Sequence, residues 1–96
     1  MRVEIDGATI HSEKDLHDLL SRALVFGPHY GANLSALWDR LSTDVERPFE
    51  IVWRESALSR TALGESEFEK IRDLLLRVQS QDQSFGWSDR FSVTFE

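Results

Sequence analysis

The stretch "FEIVW", residues 49–53, decides how the chain is read. In an extended strand Phe49, Ile51 and Trp53 point to one side and Val52 to the other. A strand apolar on both faces belongs inside a sheet, with a neighbour on each edge. Two segments fit as those neighbours. "MRVEI" (1–5) alternates with Val3 and Ile5 on one face and stops at the turn dipeptide Asp6-Gly7. "RFSVTF" (90–95) alternates Phe91, Val93 and Phe95.

The segments between these strands carry a helical period. Ser12 followed by Asp15 forms a capping box. Leu16, Leu19, Leu20, Ala23 and Leu24 then make one apolar stripe, which predicts a helix over 13–24. "FGPHYGAN" (26–33) breaks that pattern, and Asn33 is a good N-cap for "LSALWDRL" (34–41). "ESALSRTAL" (55–63) reads as a short helix ended by Gly64. "ESEFEKIRDLLLRVQSQ" (65–81) is the best helix, with Phe68, Ile71, Leu74, Leu75 and Val78 on its inner face. The order is β-α-α-β-α-α-β. Strands separated by long helical stretches run parallel through right-handed crossovers. The fold class expected is therefore α/β, a three-stranded parallel sheet packed with about four helices, with residues 1–96 as a single domain.

Composition narrows the function. Seventeen acidic residues against eleven basic give a net charge of −6, the wrong sign for a nucleic-acid binder. The same charge suits a protein partner with a cationic surface. The absence of cysteine fits a reducing compartment and removes thiolate chemistry and cysteine zinc sites. There is no signal-peptide run and no apolar window of membrane length, so a cytoplasmic protein with no membrane contact is expected. The histidines His11, His17 and His29 hold no metal-ligand spacing, and neither metal nor cofactor is expected. His17 lies beside the apolar stripe of the first helix, where a packed or half-exposed histidine is the plain reading. No Gly-x-Ser-x-Gly and no Ser-His-Asp order is present, so an enzyme is not expected. "GPHYGANL" (27–34) is too poor a phosphate cradle to change that.

The segment 27–41 stands apart. On a helix beginning near Asn33, the core stripe falls on Leu34, Leu37, Leu41 and Val45, and Ser35 and Asp39 share an outer face. Trp38 sits on the boundary of core and solvent. A carboxylate beside such a Trp, under a Gly-Pro loop carrying Tyr30, has the make-up of an interface centre. The competing reading is a core-packing Trp with an incidental Asp. Leu76 also falls off the apolar stripe of the last helix; it is either an isolated surface leucine or the margin of an interface.

These residues resemble the barstar family, intracellular inhibitors of the extracellular ribonuclease barnase. The resemblance rests on "IDG..I.S..DLH..L" from Ile5, "YGANLSALWDRL" (30–41), and "V-E-x-P" with "F-E-I-V-W-R" (45–54). After Gly64 it is mainly one of pattern, and the last loop is longer. It implies inhibition by plugging: the motif helix and its preceding loop lie across a ribonuclease active site, and Asp39 takes the place of a substrate phosphate. Tyr30, Gly31, Asn33, Leu34, Trp38 and Asp39 match the family's contact positions. His29 stands where the family has a tyrosine, Ser35 where it has a second acid, and Asp44 where it has an aromatic. Asp73 is the candidate for the acidic contact on the last helix. These departures point to a cognate nuclease other than barnase, one delivered as a toxin, with this chain as its immunity partner in a one-to-one complex with a monomer. The alternative is an interaction module of the same fold that regulates a non-nuclease partner.

Overall fold

The computed structural model describes all residues from Met1 to Glu96. Three strands, β1 (Arg2–Asp6), β2 (Phe49–Arg54) and β3 (Phe91–Phe95), form one parallel sheet in the order β1-β2-β3. The helices are α1 (Glu13–Leu24), α2 (Leu34–Asp39), α3 (Ser56–Leu63) and α4 (Glu65–Ser84). β2 is central, as its two apolar faces require. Ile5 is in register with Trp53, and Ile51 with Val93.

All the helices' apolar faces meet the same side of the sheet. Val3, Ile5, Phe49, Ile51, Trp53 and Phe91 join Leu16, Leu20, Leu37, Leu41 and the inner face of α4 in one core. The strand order explains this. When successive parallel strands are added in one direction, right-handed crossovers all fall on one face. The other face therefore stays polar, which is why β1 and β3 alternate instead of reading as continuous apolar runs. On that face Arg54 pairs with Glu4 (2.9 Å) and Glu96 (2.8 Å), and Arg2 with Glu4 (3.1 Å). Val52 is its buried member, in register between Glu4 and Thr94.

Local chemistry sets the element boundaries. Asp6 Oδ1 accepts from the Ala8 N–H and ends β1 in a short 3₁₀ turn, Gly7–Thr9. Gly7 is needed because a Cβ there would collide with the backbone oxygens of Arg54 and Glu55. Its carbonyl accepts from the buried Ser59 hydroxyl (2.9 Å), which in turn accepts from Trp53 Nε1 (2.9 Å). At the start of α1 Ser12 Oγ accepts from the Asp15 N–H, and Asp15 accepts in return from the His11 N–H, one residue before the cap. Ala23, expected on the buried stripe of α1, is exposed because α1 ends one residue later, where Val25 turns the chain away with φ of 54°.

Two boundaries differ from the expected ones. α2 keeps α-helical form only to Asp39 and continues as a π turn over Arg40–Asp44. α4 runs on past Gln81 to Ser84 because Asp82 is buried. Asp82 pairs with Arg47 (2.7 Å) and accepts from the Phe91 N–H (2.7 Å), so it ties the end of α4 to the loop before β2 and to the start of β3.

Candidate functional site

The loop between α1 and α2 is held from two sides. From α1, the buried His17 places Nδ1 2.5 Å from the Tyr30 hydroxyl and Nε2 3.2 Å from Glu13 Oε2. One neutral tautomer satisfies both contacts: Nε2–H donates to Glu13, and Nδ1 accepts from the phenol. Burial, with the nearby charge of Glu13, pushes the Tyr30 phenol up to about 12 against the pull of Arg40, so the phenol keeps its proton. The same Glu13 acts on Glu67 of α4. The Glu67 carboxyl is raised by a hydrogen bond to Glu13, by burial and by the charge of Glu13. From α2, Arg40 donates to the Phe26 carbonyl (2.9 Å) and lies over the rings of Phe26 (5.4 Å) and Tyr30 (5.9 Å). The Phe26 and Tyr30 rings themselves meet at a tilt of 50°, with centroids 4.7 Å apart. The intervening Gly27, with φ of 82°, supplies the left-handed turn that the "GP" segment needs.

α2 starts at Asn33, whose Oδ1 accepts from the Ala36 N–H at 2.8 Å. Beyond Asp39 the hydroxyls of Ser42 and Thr43 bond to the carbonyls of Trp38 (2.6 Å) and Asp39 (2.5 Å). This back-bonding competes with the i−4 ladder and accompanies the wider π turn. The side chain of Asp39 is exposed and makes no hydrogen bond or ion pair within the chain. Asp44, at the end of the π turn, is exposed and faces Arg40 at 3.7 Å.

Beside α2 runs a groove of about 460 Å³, lined by Leu34, Ser35 and Trp38 from α2 and by Lys70, Asp73, Leu74 and Arg77 from α4. Leu34 and Trp38 are half-buried and pack against the core, while Ser35 is exposed at the rim. The Arg77 guanidinium lies 4.9 Å from the Trp38 ring centroid. Asp73 is exposed and pairs with its neighbour Arg72 at 3.2 Å.

The structure thus brings Leu34, Ser35, Trp38 and Asp73 together around one groove, with the exposed Asp39 next to Trp38 on α2. Tyr30 turns its hydroxyl inward to His17, and Asn33 and Gly31 bond to each other, the Asn33 amide donating to the Gly31 carbonyl (3.4 Å). His29 is exposed in the turn before Tyr30 and makes no hydrogen bond. Leu76 is 36% exposed and does not line the groove. Three residues that shape this region escaped the sequence reading: His17 as the anchor of Tyr30, Arg40 as the clamp on Phe26, and Arg77 over Trp38. For Arg77 the helical period held the signal, since positions 70, 73, 74 and 77 share one face. No group of three or more His, Asp or Glu side chains could hold a metal ion, and no helix is long and apolar enough to cross a membrane.

Comparison with known proteins bears on the same residues. The family model described as Barstar (barnase inhibitor) matches residues 1–93. A Bacillus subtilis (strain 168) protein named "Putative ribonuclease inhibitor YrdF" is 32% identical over 95 residues, covering 99% of this chain and 98% of that protein. The match spans both the motif helix and the α4 side of the groove, and the chain belongs to the barstar family.

Proposed function

We propose that the chain inhibits a ribonuclease by seating α2 and the loop before it in the enzyme's active site, with Asp39 in the position of a substrate phosphate. The observation that carries this is the Asp39 carboxylate. It is exposed, it has no partner in its own chain, and it stands beside a half-buried Trp on a helix whose leading loop is clamped from two directions. A backbone held this way loses little freedom on binding, so more of the interaction energy is kept. A ribonuclease must present cationic groups to hold RNA, and a chain with net charge −6 is steered toward them. Family membership supports the same reading.

In this reading Tyr30, Leu34, Trp38 and the exposed His29 form the contact surface around Asp39. Ser35, Asp44 and Asp73 sit at its margins. The partner is a nuclease toxin domain bound one-to-one by a cytoplasmic monomer, which acts as its immunity protein. The test is titration of the protein into an RNA-cleavage assay with barnase as the probe nuclease, beside the Asp39→Ala variant. Removing one member of a desolvated charge pair costs about 3–5 kcal/mol, so the inhibition constant should rise by roughly two to four orders of magnitude. Unaltered inhibition by Asp39→Ala would overturn the role given to Asp39.

A further inference from the structure

The groove beside Asp39 is not uniformly acidic. Arg77 is exposed, stacks on Trp38 at 4.9 Å, and has no carboxylate within ion-pair distance. Lys70 lines the same groove, held only loosely by Glu67 at 4.0 Å. Most other basic side chains, Arg2, Lys14, Arg40, Arg47, Arg54, Arg60 and Arg72, already lie beside an acid of this chain. Asp73, the one acid lining the groove, is engaged by Arg72. The α2–α4 side of the molecule therefore presents an unpaired anion, Asp39, next to Trp38 on α2, and on α4 an unpaired cation, Arg77, over the Trp38 ring.

A nuclease surface that is cationic throughout would meet Asp39 favourably and Arg77 with like charge. Like charges brought together across an interface suppress the wrong partner. A guanidinium stacked on an aromatic ring keeps its orientation, and its free donors match a carboxylate in bidentate fashion. We propose that Arg77 is a specificity-determining residue of the partner-facing surface. It selects a ribonuclease whose active-site rim carries a carboxylate opposite the α2–α4 groove, and it discriminates against a ribonuclease whose rim is cationic there. Lys70 adds to the same field, and the neutral Ser35 places no acid on the α2 side to cancel it.

This rests on the active-site reading of Asp39, and one experiment separates the two. Barnase serves as the cationic probe, and inhibition constants are measured for the unmodified protein, Arg77→Glu, Arg77→Met and Asp39→Ala, with thermal unfolding as a check on folding. Arg77→Glu should inhibit barnase at least tenfold more tightly than the unmodified protein, with a steeper dependence of association on salt. Arg77→Met, which removes the charge together with the guanidinium over Trp38 but keeps an unbranched side chain, should fall between them. The inference is overturned if Arg77→Glu inhibits no better than the unmodified protein. It is equally overturned if Arg77→Met matches Arg77→Glu, because loss of stacking would then be the whole effect. If Asp39→Ala inhibits as well as the unmodified protein, the active-site reading itself fails, whatever Arg77→Glu does. Absence of barnase inhibition by every variant, Arg77→Glu included, overturns the inference about Arg77, because reversing that charge should turn the repulsion into attraction.

Discussion

His17 Nδ1 stands 2.5 Å from the Tyr30 hydroxyl, and that contact joins the buried face of α1 to the loop that leads into α2. Tyr30→Phe removes the donor and leaves a buried imidazole nitrogen unsatisfied. The expected cost is about 1–3 kcal/mol in urea unfolding. The alkaline limb of stability should change as well. The phenol, pushed up to about 12 in the fold from its ordinary value of 10, contributes stability that is full below pH 10 and is lost as pH rises toward 12. Unfolding followed from pH 8 to pH 12 should show this loss in the unmodified protein and not at position 30 of the variant. The loop, freed from α1, should also inhibit less well than the loss in stability alone accounts for.

The buried pair Arg47–Asp82 makes a prediction at the other end of the pH scale. Burial raises the Asp82 carboxyl, but the Arg47 hydrogen bond, the Phe91 N–H and the Arg47 charge outweigh it and hold the carboxyl below its ordinary value. A depressed carboxyl contributes stability above its unfolded pKa and loses it as pH falls through the lower folded value. Asp82→Asn leaves Arg47 without its counter-charge and should cost about 3–5 kcal/mol at neutral pH. The gap between the two proteins should narrow below about pH 4, measured by denaturant midpoints from pH 7 down to pH 2.5.

How far the sequence could be read follows from which interactions are local. The strands were legible because Val3 and Ile5, Phe49 through Trp53, and Phe91 through Phe95 alternate, and alternation is a property of neighbouring residues. Asn33 as a cap and Gly64 as a stop were legible for the same reason. Asp82 was not, because it looks like any acid on a polar helix until Arg47, distant in the chain, is brought against it. His17 could be read as packed, but its partner Tyr30 lies across a loop whose path depends on Gly27 and on a valine in the left-handed region. In the candidate site the Trp38–Asp39 pair was visible from helical geometry. Of the α4 wall only Asp73 was singled out, through the family resemblance; Lys70 and Arg77 acquire meaning only when α4 is laid beside α2. The π turn after Asp39 likewise depends on two hydroxyl contacts that no period reveals.

The buried Ser59 hydroxyl gives a prediction about the fold alone. It accepts from the Trp53 indole and donates to the Gly7 carbonyl, so Ser59→Ala strands a donor and an acceptor in the core at once. The expected loss is about 2–4 kcal/mol, summing two unsatisfied groups at the lower end of their range. Inhibition measured well below the unfolding midpoint should be unaffected, since Ser59 lies on α3, away from the groove.

Asn33 separates two roles that its position in the motif leaves joined. As a family contact position it would touch the partner through its amide. In the structure that side chain is spent on the chain itself, with Oδ1 on the Ala36 N–H at 2.8 Å and the amide nitrogen on the Gly31 carbonyl at 3.4 Å. The first is a short N-cap bond and the second a long one, so capping dominates. α2 has only six α-helical residues, and a helix that short has little cooperativity with which to survive an uncapped end. Asn33→Ala should therefore cost about 1 kcal/mol of stability and weaken inhibition together, because the frayed first turn carries Leu34 and Ser35. Asn33→Ser and Asn33→Asp keep an oxygen at the cap and should restore both. If either of those variants melts like the unmodified protein yet inhibits as poorly as Asn33→Ala, the amide touches the nuclease directly, and the cap is the lesser of its two functions.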